Sequence, residues 1–160
     1  MTNLAILGCG KIAKFHIPAV QSAGFKITAL AGRPGSSERL YQFSQENSLS
    51  QAIIYDNPND LINAQNWDAI LLCCSTEPMV SYIKLLIDKK KPILAEKPVS
   101  YESQSLKELI DLEYVKVAYN RRFYKTVSLA KNFVTQNQNL IAKVSIPELL
   151  NLEKDTLNFP

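Results

Sequence analysis

The stretch Leu4–Ala13, LAILGCGKIA, limits the fold of this chain more than any other part of it. A short apolar run ends in Gly8. Gly8, Gly10 and Ala13 then satisfy the spacing Gly-x-Gly-x-x-(Gly/Ala) that joins a first parallel strand to a helix in dinucleotide-binding sheets. The spacing has a physical basis. Gly8 permits a tight turn, Gly10 lets the backbone approach a pyrophosphate, and Ala13 keeps the helix close to the strand. Phosphate oxygens then meet unpaired N–H groups at the helix start. Lys11 and Ile12 complete the turn, and the five residues Gly8, Gly10, Lys11, Ile12 and Ala13 are candidate cofactor contacts.

The remainder of the chain supplies the context this motif needs. Strands are expected at Leu4–Leu7, Ile27–Ala31, Ile53–Tyr55, Ala69–Cys74, Ile93–Ala95 and Val115–Ala118. Several are continuously apolar, the pattern of parallel strands covered on both faces. Met79, Val80, Ile83, Leu86 and Ile87 form one helical stripe, and Leu106, Leu109 and Ile110 a shorter one with Ser100 or Ser103 as N-cap. Strand alternating with helix predicts an α/β fold, a Rossmann-type doubly wound parallel sheet with helices on both faces. The pattern changes near residue 120. Phe123, Val127, Ala130 and Val134 mark a further helix, and Leu140–Ile146 has the look of another strand. The expected organisation is a dinucleotide-binding domain over 1–120, then a linking helix and the start of a second α+β domain over 121–160.

Composition excludes several alternatives. With 46% hydrophobic and 21% charged residues in 160, the chain reads as an ordinary soluble domain. No apolar run approaches the roughly 18 residues of a membrane span. The net charge of +3 is mild, and its densest basic run, Lys89–Lys91, reads as a solvated turn, so neither membrane nor nucleic acid is an expected partner. Cys9, Cys73 and Cys74 do not suit a disulfide framework. Adjacent Cys73 and Cys74 point to opposite faces of a strand, and His16 is the only histidine, so no metal site is expected. The N-terminus has no basic stretch ahead of its apolar run, and with reduced thiols this points to a cytoplasmic protein.

The second strand ends in ALAGRP. An NAD-binding sheet usually carries Asp or Glu about 20 residues after the glycines, to accept from the ribose 2′-hydroxyl. Here Gly32 and Arg33 occupy that place. A small residue with an arginine leaves room for a 2′-phosphate and a charged fork to hold it. Ser36 and Ser37 add hydroxyls. The cofactor expected is therefore NADP(H), with NAD(H) as the alternative. Ser75 and Thr76, after the fourth strand, present hydroxyls for the nicotinamide ribose. Trp67 reads as a cover for the sheet edge, and His16 as a structural histidine.

The fifth strand leaves through LAEKPVS, residues 94–100. Lys97 falls at the carboxyl edge of the sheet, where ligands bind. A lysine desolvated there has a lowered pKa and can exchange a proton with a hydroxyl, or steady an alkoxide by its charge. On the residues alone, Glu96 is equally read as a local ion-pair partner of Lys97 or Arg121.

The segments AILGCGKIAKFHIPAV, AGR, AILLCCSTEP, ILAEKPVS and VAYNRRFYKTV occur in this order and together resemble the glucose–fructose oxidoreductase / inositol dehydrogenase (Gfo/Idh/MocA) family over about residues 3–146. The resemblance implies hydride exchange between a nicotinamide cofactor and a sugar or cyclitol carbon. It implies that Lys97 lies beside the nicotinamide as the catalytic residue, and that Glu96 helps set that neighbourhood. It further implies that the Lys–Pro bond is often cis, that Asn120 and Arg121 lead from the cofactor domain toward the substrate domain, and that Glu96, Lys97, Asn120 and Arg121 are cofactor contacts. Two departures stand out. The histidine many members carry near Val80 or Ser81 is absent. The histidine and aspartate the family takes from its second domain have no counterpart up to Pro160.

These features predict the cofactor domain of an oxidoreductase acting on a sugar, nucleotide sugar or cyclitol, with the substrate domain incomplete. The competing expectation is a non-catalytic nucleotide-binding or interaction module derived from such an enzyme. The strand at Leu140–Ile146 would offer an edge for self-association into a homo-oligomer.

Overall fold

Adjacent residues of an extended strand point to opposite faces of the sheet, and the first strand, β1 (Thr2–Leu7), obeys this on both sides. Leu4 and Ile6 enter one apolar core, and Ala5 and Leu7 the other. A strand covered on both faces must be apolar throughout, which is why the sequence there does not alternate.

The computed structural model of the chain describes residues 1–109 and 112–137. The chain divides into two units, Met1–Tyr119 and Asn120–Pro160. In the first, β1 is followed by α1 (Lys11–Ser22), β2 (Phe25–Ala31), α2 (Ser37–Glu46), β3 (Ile53–Tyr55), α3 (Pro58–Asn63), β4 (Ala69–Leu72), α4 (Thr76–Leu86), β5 (Ile93–Ala95) and β6 (Val115–Val117). The six strands form one sheet in the order β3-β2-β1-β4-β5-β6, every neighbouring pair parallel. This is the doubly wound Rossmann arrangement. Ala13, Ile17 and Phe43 of α1 and α2 pack in the core that takes Leu4 and Ile6. Leu61, Ile62, Met79, Ile83 and Leu86 of α3 and α4 pack in the core that takes Ala5 and Leu7.

The strand order reverses between β1 and β4. Loops leaving these two strands therefore part in opposite directions and open a crevice at the carboxyl edge.

Several local expectations change. Strand β4 stops at Leu72, although the Cys73 N–H still donates to the Leu7 carbonyl at 2.8 Å. The segment Ser103–Leu109 is a 3-10 helix, and the Ser100 hydroxyl accepts the Glu102 N–H at 3.0 Å in a local turn. Lys91 is no solvated charge. Its ammonium donates to the Trp67 carbonyl at 2.6 Å and lies 4.2 Å from the centre of the Trp67 ring. Trp67 itself is fully buried, its indole N–H donating to the Leu61 carbonyl at 2.8 Å.

The second unit, as described, holds a 3-10 turn at Asn120–Phe123 and α5 (Lys125–Gln136). Of the expected stripe, Val127, Ala130 and Val134 fall on α5 and Phe123 on the 3-10 turn before it, and Phe123, Val127 and Val134 are exposed. Ile110 and the strand expected at Leu140–Ile146, with the self-association edge inferred from it, lie outside the described residues.

Candidate functional site

The crevice between the β1 and β4 loops is a cleft of about 600 Å3. Its lining comes from the three loops the sequence pattern singled out. Gly8, Cys9 and Gly10 follow β1, and Gly32, Arg33 and Ser36 follow β2. Cys73, Cys74 and Ser75 follow β4. Arg39 and Leu40 on α2, and Pro78 and Tyr82 on α4, complete the wall.

The two fingerprint glycines are glycine for different reasons. Gly8 has φ +99°, and a Cβ there would sit 2.4 Å from the Cys73 carbonyl carbon and the Cys74 nitrogen. The turn passes so close to the end of β4 that no side chain fits. Gly10 has φ −99°, open to any residue, and a Cβ built on it meets no atom of the described residues within 4 Å. Neither conformation nor packing among the described residues requires glycine at position 10. Ala13 is fully buried against the sheet, which is the close helix–strand approach its small size allows.

Helix α1 begins at Gly10 with no side-chain cap and no acidic residue in its first turn. By contrast, α3 is closed by the Asn57 side chain, which accepts from the Asn59 N–H at 2.9 Å, and has Asp60 in its first turn. The first N–H groups of α1 thus have no side-chain acceptor of their own and carry the positive end of the helix dipole.

At the β2 end, Gly32 serves packing. A Cβ there would lie 2.5 Å from the Ser36 hydroxyl and 3.3 Å from Leu40 Cδ2. The space is filled by Ser36, whose hydroxyl donates to the Arg33 carbonyl at 2.6 Å. A hydroxyl has one proton, so Ser36 in this position is not the anion donor expected of it. The cations on this wall are Arg33 and Arg39. The sequence reading missed Arg39, although its place three residues after Ser36 puts it in the first turn of α2.

The three cysteines also line the cleft and are free thiols. Burial pushes Cys9 up to about 12 and Cys74 to about 11. Cys73 is raised as well, first by burial and then by the negative charge of Glu96. Thiols held neutral in this way are poor nucleophiles and metal ligands.

Of the expected cofactor residues, Gly8, Gly10, Gly32, Arg33, Ser36 and Ser75 line this cleft, whereas Lys11, Ile12, Thr76, Glu96 and Lys97 do not. Lys11 and Ile12 are exposed on the first turn of α1, and Thr76 is the half-buried first residue of α4. Asn120 and Arg121 open the second unit.

Glu96 and Lys97 follow β5, one strand beyond β4. Two strand spacings of about 4.8 Å separate β5 from β1. Lys97 is exposed, so the desolvation expected at its ammonium is not supplied by the described residues. The Lys97–Pro98 bond is cis. Glu96 is tied down. Its N–H donates to the Leu72 carbonyl at 2.8 Å, one carboxylate oxygen lies 2.6 Å from His16 Nε2, and the other accepts the Lys97 N–H at 3.0 Å. His16 is therefore a partner of the Glu-Lys-Pro segment and not an isolated helix residue.

Comparison with known proteins agrees with this architecture. The profile of the Gfo/Idh/MocA oxidoreductase family, NAD-binding Rossmann fold, matches residues 2–119. The chain is 26% identical over 153 residues to the oxidoreductase YrbE of Bacillus subtilis (strain 168), covering 92% of this chain and 42% of that protein. It is 25% identical over 129 residues to inositol 2-dehydrogenase of Paracoccus denitrificans (strain Pd 1222), covering 76% and 38%. The chain thus spans about two fifths of the length of these curated relatives. Among solved structures, myo-inositol dehydrogenase from Lactobacillus casei in complex with NAD(H) and myo-inositol superposes with TM-score 0.75 at 18% identity, over 85% of this chain and 42% of that one. That likeness carries the fold. No helix among the described residues is long and apolar enough to cross a membrane.

Proposed function

We propose, for a chain that belongs to the Gfo/Idh/MocA oxidoreductase family with its NAD-binding Rossmann fold, that the cleft holds NADP(H) and serves hydride exchange with a sugar, nucleotide sugar or cyclitol. The observation that carries cofactor binding is Gly10, a glycine that neither conformation nor packing among the described residues requires. A residue at the uncapped start of α1 has a reason to lack a side chain if a pyrophosphate lies against it.

The residues then divide the work. The backbone at Gly8–Gly10 and the first turn of α1 bind the pyrophosphate. Arg33 and Arg39 hold the 2′-phosphate, and no carboxylate stands at the end of β2 to accept from a free 2′-hydroxyl. Ser75, and Thr76 beside it, face the nicotinamide ribose. The nicotinamide, when bound, supplies or receives the hydride. Lys97 holds or moves the proton of the reacting hydroxyl at Nζ, and its ammonium steadies developing negative charge on that oxygen. Cofactor and substrate themselves provide the dry surroundings this requires. The free thiols and the cofactor suit a reducing, cytoplasmic setting.

The test is fluorescence titration of the chain with NADPH and with NADH. Arg33→Asp is expected to weaken NADPH binding at least about tenfold more than NADH binding, the loss of a charge-assisted contact to the 2′-phosphate. Arg39→Ala should act in the same direction. Equal effects on the two cofactors would defeat the NADP reading, and absence of binding to either would defeat the whole proposal. A hydride-transfer assay over a panel of sugars, nucleotide sugars and cyclitols tests turnover. Tight binding without turnover would favour the non-catalytic module.

A further inference from the structure

Helix α1 is held to the sheet by Ala13 and Ile17, whose exposures are 0% and 4%. His16 is not needed for that packing. It instead meets Glu96, a residue 80 positions away in the loop after β5, with Nε2 2.6 Å from the carboxylate. Both side chains are largely buried, at 19% and 12% exposure. The carboxylate's second oxygen accepts the Lys97 N–H at 3.0 Å. Each Glu96 oxygen therefore has a partner, one on the phosphate-binding helix and one on the backbone of the lysine.

We propose that His16 is a positioning residue for Lys97, acting through Glu96. The imidazole fixes the carboxylate, and the carboxylate fixes the Lys97 backbone from which the ammonium projects. The helix that would receive the cofactor pyrophosphate and the residue that would act at the nicotinamide end are thereby set in one register. This rests on the reading of Lys97 as the acid–base group.

The choice of groups supports orientation over cohesion. A buried ion pair is often no more stabilising than a well-packed apolar pair of similar volume. A hydrogen-bonded imidazole–carboxylate pair does, however, define direction. The carboxylate accepts, so Nε2 carries the proton in this pairing. Glutamine at position 16 offers an amide N–H for the same bond, whereas alanine offers nothing. The Glu96 charge also acts on Cys73 in the cleft floor, which places the pair within electrostatic reach of the cofactor site.

The experiment compares the wild-type chain with His16→Ala and His16→Gln after reductive 13C-methylation of lysines. The Lys97 dimethylamino resonance is assigned by its loss in Lys97→Arg. NADP+ is added, and its affinity is measured separately by titration. The wild-type Lys97 resonance should shift on saturation. In His16→Ala that shift should fall to less than half while the affinity changes by less than about threefold, well under the factor of ten worth 1.4 kcal/mol. His16→Gln should restore the shift. A saturating shift in His16→Ala equal to wild type overturns the proposal, as does failure of His16→Gln to restore it. Failure of the wild type to bind NADP+ refutes the cofactor reading instead. A fold-wide effect of His16→Ala, seen as loss of affinity with all lysine resonances disturbed, would make His16 a structural residue and likewise overturn the inference.

Discussion

The two glycines of the β1–α1 turn predict opposite outcomes for the same substitution. Gly8→Ala places a methyl 2.4 Å from backbone atoms of Cys73 and Cys74, at φ +99°. Carbon atoms prefer separations of about 3.5–4.0 Å, so the end of β4 must withdraw by about 1 Å or the turn must rebuild. The backbone conformation alone costs about 1–2 kcal/mol for a residue with a Cβ. Forced overpacking adds about 1–3 kcal/mol. Withdrawal also strains the 2.8 Å bond from the Cys73 N–H to the Leu7 carbonyl, worth about 1 kcal/mol. The expected loss is about 3–6 kcal/mol, a large share of the roughly 5–15 kcal/mol that holds a domain folded. Urea unfolding followed by circular dichroism measures it, with the midpoint falling by about 1.5–3 M for a slope near 2 kcal/mol/M. Gly10→Ala has φ −99° and no atom of the described residues within 4 Å of its new methyl. Its midpoint should match wild type to within about 1 kcal/mol, since a slightly poorer cap offsets a less flexible unfolded chain. Its NADPH affinity should nevertheless fall at least about tenfold, because the methyl stands where a pyrophosphate would lie. A Gly8→Ala midpoint equal to wild type would refute the close-approach argument. Undiminished NADPH binding by Gly10→Ala would refute the placement of the pyrophosphate.

The thiols and the buried tryptophan give two further tests. Cys9 and Cys74, held up at about 12 and about 11 by burial, should react with iodoacetamide at pH 8 at least about a hundredfold more slowly than a free cysteine of pKa near 8.5, because the thiolate is the nucleophile; labelling at the free-thiol rate in the folded chain would contradict their burial. The same groups bear on stability. Their folded-state values lie above the unfolded one, so their contribution is complete below about pH 8.5. It is lost as pH rises toward 11 and 12. Replacing Cys9 by Ala should therefore flatten the decline of the urea midpoint above pH 9, and an unchanged slope would exclude it as a contributor. Trp67→Phe removes the indole N–H and leaves the Leu61 carbonyl, its 2.8 Å partner, without that donor. That carbonyl still accepts the Ala64 N–H at 3.1 Å, so the expected cost is that of one net hydrogen bond, about 0.5–1.5 kcal/mol in urea unfolding, and no measurable cost would show that the bond contributes nothing.

How much of the molecule could be read from its residues follows from where each signal resides. Strands covered on both faces must be apolar along their whole length, so β1, β2, β4 and β5 announced themselves within a residue or two. The fingerprint was legible because its spacing is fixed within six residues, where Gly8 takes a positive φ and Ala13 lies buried against the sheet. Leu106 and Leu109 announced burial but not the 3-10 winding that achieves it, since a pair at i and i+3 suits either helix. Ser36 could be seen as a polar residue near the cofactor, but not as a hydroxyl already spent on the Arg33 carbonyl. That depends on a rotamer, which a sequence does not display. Arg39 needed only the phase of α2 relative to the β2 turn. The pairing of His16 with Glu96 had no local mark at all, because its partners are 80 residues apart and meet only when the sheet is assembled.

That last pairing alters how the Glu-Lys-Pro segment should be understood. If Glu96 served only to neutralise Lys97, its carboxylate would be aimed at the lysine ammonium, and the pair, exposed at one end, would be worth little. Instead both oxygens are engaged elsewhere, one by the imidazole and one by the lysine backbone N–H. A charge used in this way does not hold the ammonium, so on the proposed reading of Lys97 as the acid–base group Nζ would reach a substrate oxygen while its backbone stays fixed. Flexibility at the reacting atom with rigidity at its base is what a proton-transferring lysine needs. The exposure of Lys97 in the chain alone fits that division. The fold anchors the base of the side chain through β4, β5 and α1, and leaves its tip exposed.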